Sequence, residues 1–280
     1  MFDFFDKPPK ELLGIDIGSK QIKMVELERE KGRKPVLKNY ALILVKDVNI
    51  REMSIDSIVG ILKQAVARAK IKTEDTVMSL PAFSVFLTPI NMPNMPENEE
   101  ELDQLVRLEA RKYIPVPLEE VNLGWSRLDK EILLVTVSKD IVYRYSQIAK
   151  DVGLELKALE AETFSLARSL ASGVKELIAV VDFGARSTNV SLAEDGKVRM
   201  NRTLEKPSIE QIKSIIGSAT QKIILTGGRI DQTLVAGFSN CQIGNPWQNV
   251  VYPKELEQIL IGLSPSFAVA IGLALRDFNG

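Results

Sequence analysis

Histidine is absent from all 280 residues, and cysteine occurs once, at Cys241. The first absence removes imidazole as general base, nucleophile partner or metal ligand. The second rules out an intrachain disulfide, so catalytic triads and zinc centres are largely excluded. No run approaches the roughly eighteen apolar residues of a membrane-spanning helix. The N-terminus sets Asp3 and Asp6 among its phenylalanines where a secretory signal would have an uninterrupted apolar core. A cytoplasmic location is the expectation. Met1–Phe5 is barely more than one helical turn, too short to hold a membrane interface alone, and reads as an unstructured terminus or a partner contact. Charge of one sign is lacking too: 36 Lys and Arg face 37 Asp and Glu, and a net charge of −1 creates no field for nucleic acid or anionic lipid.

What the chain does carry is one turn twice. Leu13-Gly14-Ile15-Asp16-Ile17-Gly18-Ser19 is an apolar strand that ends on Asp and runs into Gly and a hydroxyl. Val180-Val181-Asp182-Phe183-Gly184-Ala185-Arg186-Ser187-Thr188 repeats the pattern. Such a turn can aim backbone N–H groups and hydroxyls at phosphate oxygens while the carboxylate faces a hydrated magnesium ion. Asp-x-Gly at a strand end is also an ordinary hairpin corner. Here each copy is followed by an alternating strand, Gln21–Glu28 and Asn189–Ala193, which points to a duplicated fold with two facing turns. Ile223-Ile224-Leu225-Thr226-Gly227-Gly228-Arg229 is a third apolar strand ending in glycines, where backbone can approach a flat ligand.

In this order the three segments resemble the phosphate 1, phosphate 2 and adenosine motifs of the superfamily of actin, the heat-shock chaperones and the sugar kinases. More closely, the chain resembles the PilM family of type IV pilus assembly proteins, relatives of the cell-division protein FtsA. The match lies in Leu12–Leu27, Gln104–Asn122, Ala161–Ala167 and Ser266–Arg276, and the run Arg107–Val121 is its most family-specific part. The resemblance implies an α/β, actin-like (ribonuclease H-like) duplicated fold with an FtsA/PilM-type inserted α/β subdomain. It also implies nucleotide candidates: Asp16, Gly18, Ser19, Lys20, Asp182, Gly184, Ser187, Thr188, Gly227 and Gly228, with Asp16 and Asp182 toward the Mg²⁺ of bound ATP.

Periodicity divides the chain into three. Residues 1–80 read as a first actin-like half, with hairpin strands around 12–28 and 35–46, a helix from about Ser54 to Lys70 and a strand at Thr76–Leu80. Residues 81–154 read as the inserted subdomain. It has a proline-punctuated strand over Val85–Met92, an acid-fronted helix from Glu97 to about Tyr113, strands near Asn122–Leu128 and Ile132–Ser138, and a helix Asp140–Val152 closed by Gly153. Residues 155–280 read as a reduced second half. It begins with a short strand at Glu155–Glu160 and a connecting helix Glu162–Ser172. Strands follow at 177–182, 188–193, 197–203 and 223–226, with a helix around Ser208–Ser218 and a last helix from Ser266 into the C-terminus, 266–280. The small residues Ala268, Ala270, Gly272 and Ala274 suit that last helix to tight packing between the halves.

Three features depart from the superfamily. Only Leu204–Gln221 separates two strands where the superfamily builds a subdomain that walls one side of the adenine slot. With that insertion largely missing, a base lies open to water. At about 25 cal/mol per Å² this costs a few kcal/mol, or roughly two to three powers of ten in affinity. Arg186, between the second-turn Gly and Ser, either binds phosphate or blocks it, and Arg229–Gly237 lacks the Pro-Gly common after the double glycine. Hydrolysis would need a group to orient water. Glu160 and Glu162 are the available placements, and both also read as solvated helix-start acids. Lys20 and Lys23 read either as phosphate ligands or as strand-surface lysines.

As function, the resemblance implies a cytoplasmic scaffold of a type IV pilus machine, or of a related type II secretion or competence system, held at the inner membrane through a partner. It would bind a short cytoplasmic peptide of a PilN-like inner-membrane protein beside the inserted subdomain and communicate with the pilus assembly ATPase. Val85, Phe86, Leu87, Ile90, Tyr113, Ile114, Pro115 and Val116 are expected near that groove. Two prolines flanking Val116 keep its segment out of a central sheet; the alternative fate of these apolar residues is the subdomain core. A second reading is an ATPase or small-molecule kinase, and a third is an FtsA-like filament-forming protein. Direct membrane tethering is not expected, because Leu275–Gly280 ends without an amphipathic helix.

Overall fold

A computed structural model describes residues 2–3, 9–29, 32–128, 131–220 and 222–276. Phe4, Phe5 and Asp6, and the last helix's expected extension over 277–280, lie outside the described residues. The first elements are β1 (Phe2–Asp3), β2 (Glu11–Ile17), β3 (Gln21–Glu28), β4 (Val36–Leu44), α1 (Ile55–Ala69) and β5 (Asp75–Leu80). Next come β6 (Val85–Asn91), α2 (Glu99–Ala110), β7 (Val121–Leu128), β8 (Glu131–Ser138) and α3 (Lys139–Val152). The remainder is β9 (Glu155–Ala161), α4 (Glu162–Ala171), β10 (Ile178–Phe183), β11 (Ser187–Glu194), β12 (Lys197–Glu205), α5 (Ile209–Ile216), β13 (Ile223–Thr226), α6 (Gln232–Ala236), β14 (Cys241–Ile243) and α7 (Glu257–Ala274).

The strands form three sheets, in the orders β1-β9-β5-β2-β3-β4, β12-β11-β10-β13-β14 and β6-β8-β7. Apart from the short β1, the two larger sheets share one plan. An antiparallel meander (β2-β3-β4 or β10-β11-β12) has its first strand joined to two parallel strands (β5 and β9, or β13 and β14). Both meanders even shift register at the equivalent place, between Glu26 and Leu27 and between Leu192 and Ala193. This is the duplication that the repeated turn predicts. Strand β14 was not foreseen: it is three residues long with two exposed positions, so it has no hydrophobic period of its own, and only its parallel pairing with β13 defines it.

Each sheet buries one face under helices from its own stretch of chain. Leu13 and Ile15 of β2 pack with Ile58 and Leu62 of α1 and Ile148 of α3. Val181 and Leu225 pack with Ile212 of α5, and Ile90 and Leu134 with Leu102 and Val106 of α2. Helix α1 starts where Ser54 accepts from the Ser57 N–H and stops at Lys70, a left-handed cap at φ 55°.

Helices α4 and α7 lie between the two large sheets, burying Leu166, Ala268 and Leu273 with Leu12 and Val180. The sequence reading starts the last helix at Ser266; it starts at Glu257 and runs through Pro265. Proline in a helix forfeits one N–H bond. The bond forfeited is the one to the Ile261 carbonyl; separately, the Pro265 carbonyl accepts from the Gly227 N–H and the Thr226 hydroxyl, both at 2.8 Å, tying the helix to the glycine loop. The helical stretch Lys254–Ala274 is apolar enough to cross a membrane, at a mean hydropathy of 1.6, yet half of that window is buried inside the molecule. The expected tight packing is present. A Cβ on Gly272 would lie 2.0 Å from the Ser165 carbonyl of α4, and one on Gly14 2.2 Å from the Ala270 carbonyl of α7.

Candidate functional site

Strands β2 and β10 occupy the same position in the two plans, so the turns that follow them open at corresponding ends and face one cleft. It encloses about 740 Å³ counted out to its solvent-open mouth. Asp16, Gly18, Ser19 and Lys20 line it from the first turn, Asp182, Gly184 and Ser187 from the second, and Gly227 and Gly228 from the loop after β13. Thr188 is the exception among the expected residues: it is fully buried, and its hydroxyl accepts from Arg229 Nη2 at 3.3 Å. The structure adds residues that the sequence reading did not assign to the site, namely Gln21, Arg51, Asn189 and Arg229, and it places Lys23, Glu162 and Arg186 in the lining. Gly18 N–H donates to the Gln21 carbonyl at 2.9 Å and closes the first turn. Gly227 has φ +106°, and a Cβ there would sit 2.4 Å from the Phe183 carbonyl, so only glycine lets this loop close on the second turn.

The two turn aspartates have different partners. Asp16 lies across the hairpin from Lys23, and Asp182 across from Asn189. Asp16 Oδ2 accepts from Lys23 Nζ at 3.0 Å and Oδ1 from Ser79 Oγ at 2.9 Å. Asp182 has no ion-pair partner among the described residues. Burial pushes its pKa up, Glu162 and Asp16 add repulsion, and Lys23 and the hydrogen bond to Asn189 offset this only in part, leaving it at about 7.

The two acids considered for catalysis also separate. Glu160 lies outside the cleft lining, hydrogen-bonded to Arg168, Arg276 and Ser165. Burial alone would raise its pKa, but the two guanidinium groups and the Ser165 hydroxyl hold it down at about 2. Glu162 opens α4 and lines the cleft, yet it is buried and not a solvated helix-start acid. Its carboxylate takes Arg51 Nη2 on one oxygen and the Ala82 N–H on the other. Burial raises its pKa against the pull of Arg51. Arg51 Nε also donates to the Ile17 carbonyl at 3.0 Å, and next to it Glu52 holds Arg186 Nη1 at 2.8 Å in an exposed pair that joins the two turn regions.

A phosphate-bearing ligand with a hard divalent ion suits this donor set of carboxylates, hydroxyls and cationic side chains. No group of three or more metal-ligating side chains converges among the described residues. A divalent ion here would therefore rest on one or two carboxylates and on oxygens of its ligand, the usual habit of magnesium. Asp182, buried without a counter-ion, is the carboxylate that such an ion would satisfy.

A second concavity, of about 520 Å³, lies between the end of β2, α1, α3 and the turn over 81–84 that leads into β6. It is lined by Ile17, Arg51, Ile58, Pro81, Phe83, Ser84, Ile141, Arg144, Tyr145 and Ile148. Arg51 lies 5.4 Å from the centre of the exposed Phe83 ring, and Arg144 donates to the Met53 carbonyl. Burial keeps the Tyr145 phenol protonated, its pKa pushed up to about 12. Ile141, Tyr145 and Ile148 follow an i, i+4, i+7 stripe, which in sequence cannot be told from an ordinary core face. Of the residues expected near a partner groove, Val85, Ile90 and Ile114 are buried in hydrophobic cores. Phe86, Tyr113, Pro115 and Val116 are exposed, and Leu87 is partly buried. Strand β6 is an edge strand.

Residues 14–206 match the family described as type IV pilus assembly protein PilM. Among solved structures, the chain is similar to one described as the PilM-PilN type IV pilus biogenesis complex, with a TM-score of 0.79 and 23% identity over 96% of this chain and 99% of that one. It is also similar to the cytoplasmic domain of EpsL, an inner-membrane component of the type II secretion system of Vibrio cholerae. There the TM-score is 0.54 and identity 10%, over 90% of this chain and 93% of that one. A Bacteroides thetaiotaomicron protein with actin-like ATPase fold and unknown function aligns at a TM-score of 0.52 and 11% identity, over 94% and 95% of the two chains. The fold is thus actin-like, in agreement with the duplicated plan of the two sheets.

Proposed function

The chain belongs to the PilM family of type IV pilus assembly proteins, and on that premise we propose that it is the cytoplasmic scaffold of a type IV pilus machine or of a related type II secretion or competence system. It sits at the inner membrane by holding a short cytoplasmic peptide of a PilN-like protein. For this purpose the chain divides into residues 1–80, 81–154 and 155–280, and the peptide site lies between the first two. The observation that carries the reading is the apolar concavity between α1, α3 and Phe83, beside the edge strand β6. An extended peptide needs apolar pockets for alternate side chains and a free strand edge for its backbone. The likeness to a structure described as a PilM-PilN complex supports the choice of partner. The test is isothermal titration of a synthetic peptide from the N-terminus of the PilN-like protein. Phe83→Ala should weaken binding at least tenfold; no heat at hundreds of micromolar from folded protein would reject the reading.

The anion cleft holds ATP with Mg²⁺ as a structural ligand on this reading. Asp182 would hold the hydrated ion, with Asp16, whose oxygens already take Lys23 and Ser79, facing it through the ion's water shell; when bound, the ion supplies positive charge against the phosphates. The turn backbones at Gly18 and Gly184, the hydroxyls of Ser19 and Ser187, and Lys20 bind and orient the phosphate chain, while Gly227 and Gly228 leave room for the nucleoside. Turnover would ask Glu162 to position a water, and Arg51 already holds that carboxylate; this favours a scaffold over a hydrolase. Titration with ATP and Mg²⁺ should give heat that Asp182→Ala abolishes, and silence at millimolar ATP would reject the nucleotide.

A further inference from the structure

We infer that the cleft selects its ligand by the phosphate chain and not by the base, so that ATP, GTP, CTP and inorganic tripolyphosphate are equivalent ligands. The inference rests on the nucleotide reading above and goes beyond it. Among the described residues, none between Asn189 and Gly227 lines the cleft, and neither does any aromatic side chain. Among the described residues between β12 and β13, the one regular element is the eight-residue α5, whose Ile212 and Ile216 pack into the core beside the five-stranded sheet and which contributes nothing to the cleft lining. Gly228 and Arg229, which flank the space a nucleoside would enter, are themselves exposed. Discrimination among bases requires a stacking face or buried polar groups that the wrong base leaves unpaired. Beside Gly228 the described lining offers no aromatic face, and its polar side chains, Gln21 and Ser266, are only half-buried, open to water whichever base is present.

The phosphate side is the reverse. Lys20, Lys23, Arg51, Arg186 and Arg229 outnumber the cleft's three carboxylates, and charge-assisted hydrogen bonds from such groups to phosphate are the strong ones. Affinity therefore resides in groups that every nucleoside triphosphate and tripolyphosphate shares.

The test is isothermal titration of the full chain with ATP, GTP, CTP, tripolyphosphate and adenosine, each with Mg²⁺. The first four should bind within about tenfold of one another and adenosine not at all, whereas a walled adenine slot would separate ATP from tripolyphosphate by roughly two to three powers of ten. Arg186→Ala, an exposed change, should weaken ATP and tripolyphosphate by the same factor, about tenfold. ATP binding a hundredfold tighter than GTP or tripolyphosphate, or adenosine binding alone, would overturn the inference and leave the nucleotide reading standing. Failure of all five ligands would overturn both.

Discussion

In the first copy of the turn the residue across the hairpin from the aspartate is Lys23; in the second it is Asn189. The backbones are otherwise matched, with the glycine two residues after each aspartate and the same strand order around them. Asp16 is neutralised inside the protein, with both oxygens engaged by Lys23 and Ser79. Asp182 is as buried but faces an amide, and its pKa rises to about 7. A duplicated fold can thus keep its geometry and change one facing side chain to turn a structural ion pair into a carboxylate still in want of a cation. The same division separates the two glutamates near the start of α4. Glu160 is saturated by two arginines, and Glu162 stays in the cleft, held by one.

The largest effect expected is from Glu160→Gln, which leaves Arg168 and Arg276 facing a neutral amide. Stability in urea should fall by about 3–5 kcal/mol. Because the folded pKa of Glu160 is about 2 against 4.5 when unfolded, its contribution is complete above about pH 4.5 and is lost as pH falls toward 2. The variant should lack that acid limb. Next, Asp16→Ala strands the Lys23 ammonium and should cost about 3 kcal/mol.

Asp182→Asn should have the opposite sign. The folded pKa of Asp182 lies above its unfolded 3.8. Its stabilising protonated form is therefore complete below about pH 4 and lost as pH rises through 7, so ionised Asp182 opposes folding above that. The amide should stabilise the protein by about 2 kcal/mol at pH 8, where the carboxylate it replaces is ionised, and by nothing at pH 4. Thermal melts at the two pH values would show it; a gain that ignored pH, or a loss like that of Asp16→Ala, would break the contrast between the turns. The smallest effect is Arg186→Ala, which removes an exposed pair with Glu52 and should leave the urea midpoint almost unchanged.

Much of the fold was legible because its signals are local. Alternation marked the strands of both meanders, the apolar stripe marked α1, and Gly153 in left-handed conformation ended α3 as expected. Where residues act at a distance, legibility ended. The start of α7 was misread because Pro265 normally argues for a boundary, and here the glycine loop uses the carbonyl of that interruption. Val85, Ile90 and Ile114 looked like Phe86 and Val116 in an apolar string, and only the packing of α2 on the three-stranded sheet, and of Val85 against the first sheet's helices, sorted inside from outside.

By itself the sequence determined the repeated turn, the glycine loop, the strands of the two meanders and the shortness of the connection between β12 and β13, since each is written in adjacent residues whose backbone preferences and periods do not depend on the rest of the chain. The tertiary structure alone decided that Arg51 meets Glu162, that Ser79 completes Asp16, that Glu160 leaves the cleft, and that α1 and α3 enclose an apolar hollow. Those contacts join positions far apart in the chain, and they are set by how the sheets close on α4 and α7, where no local pattern records which side chains will share the buried space.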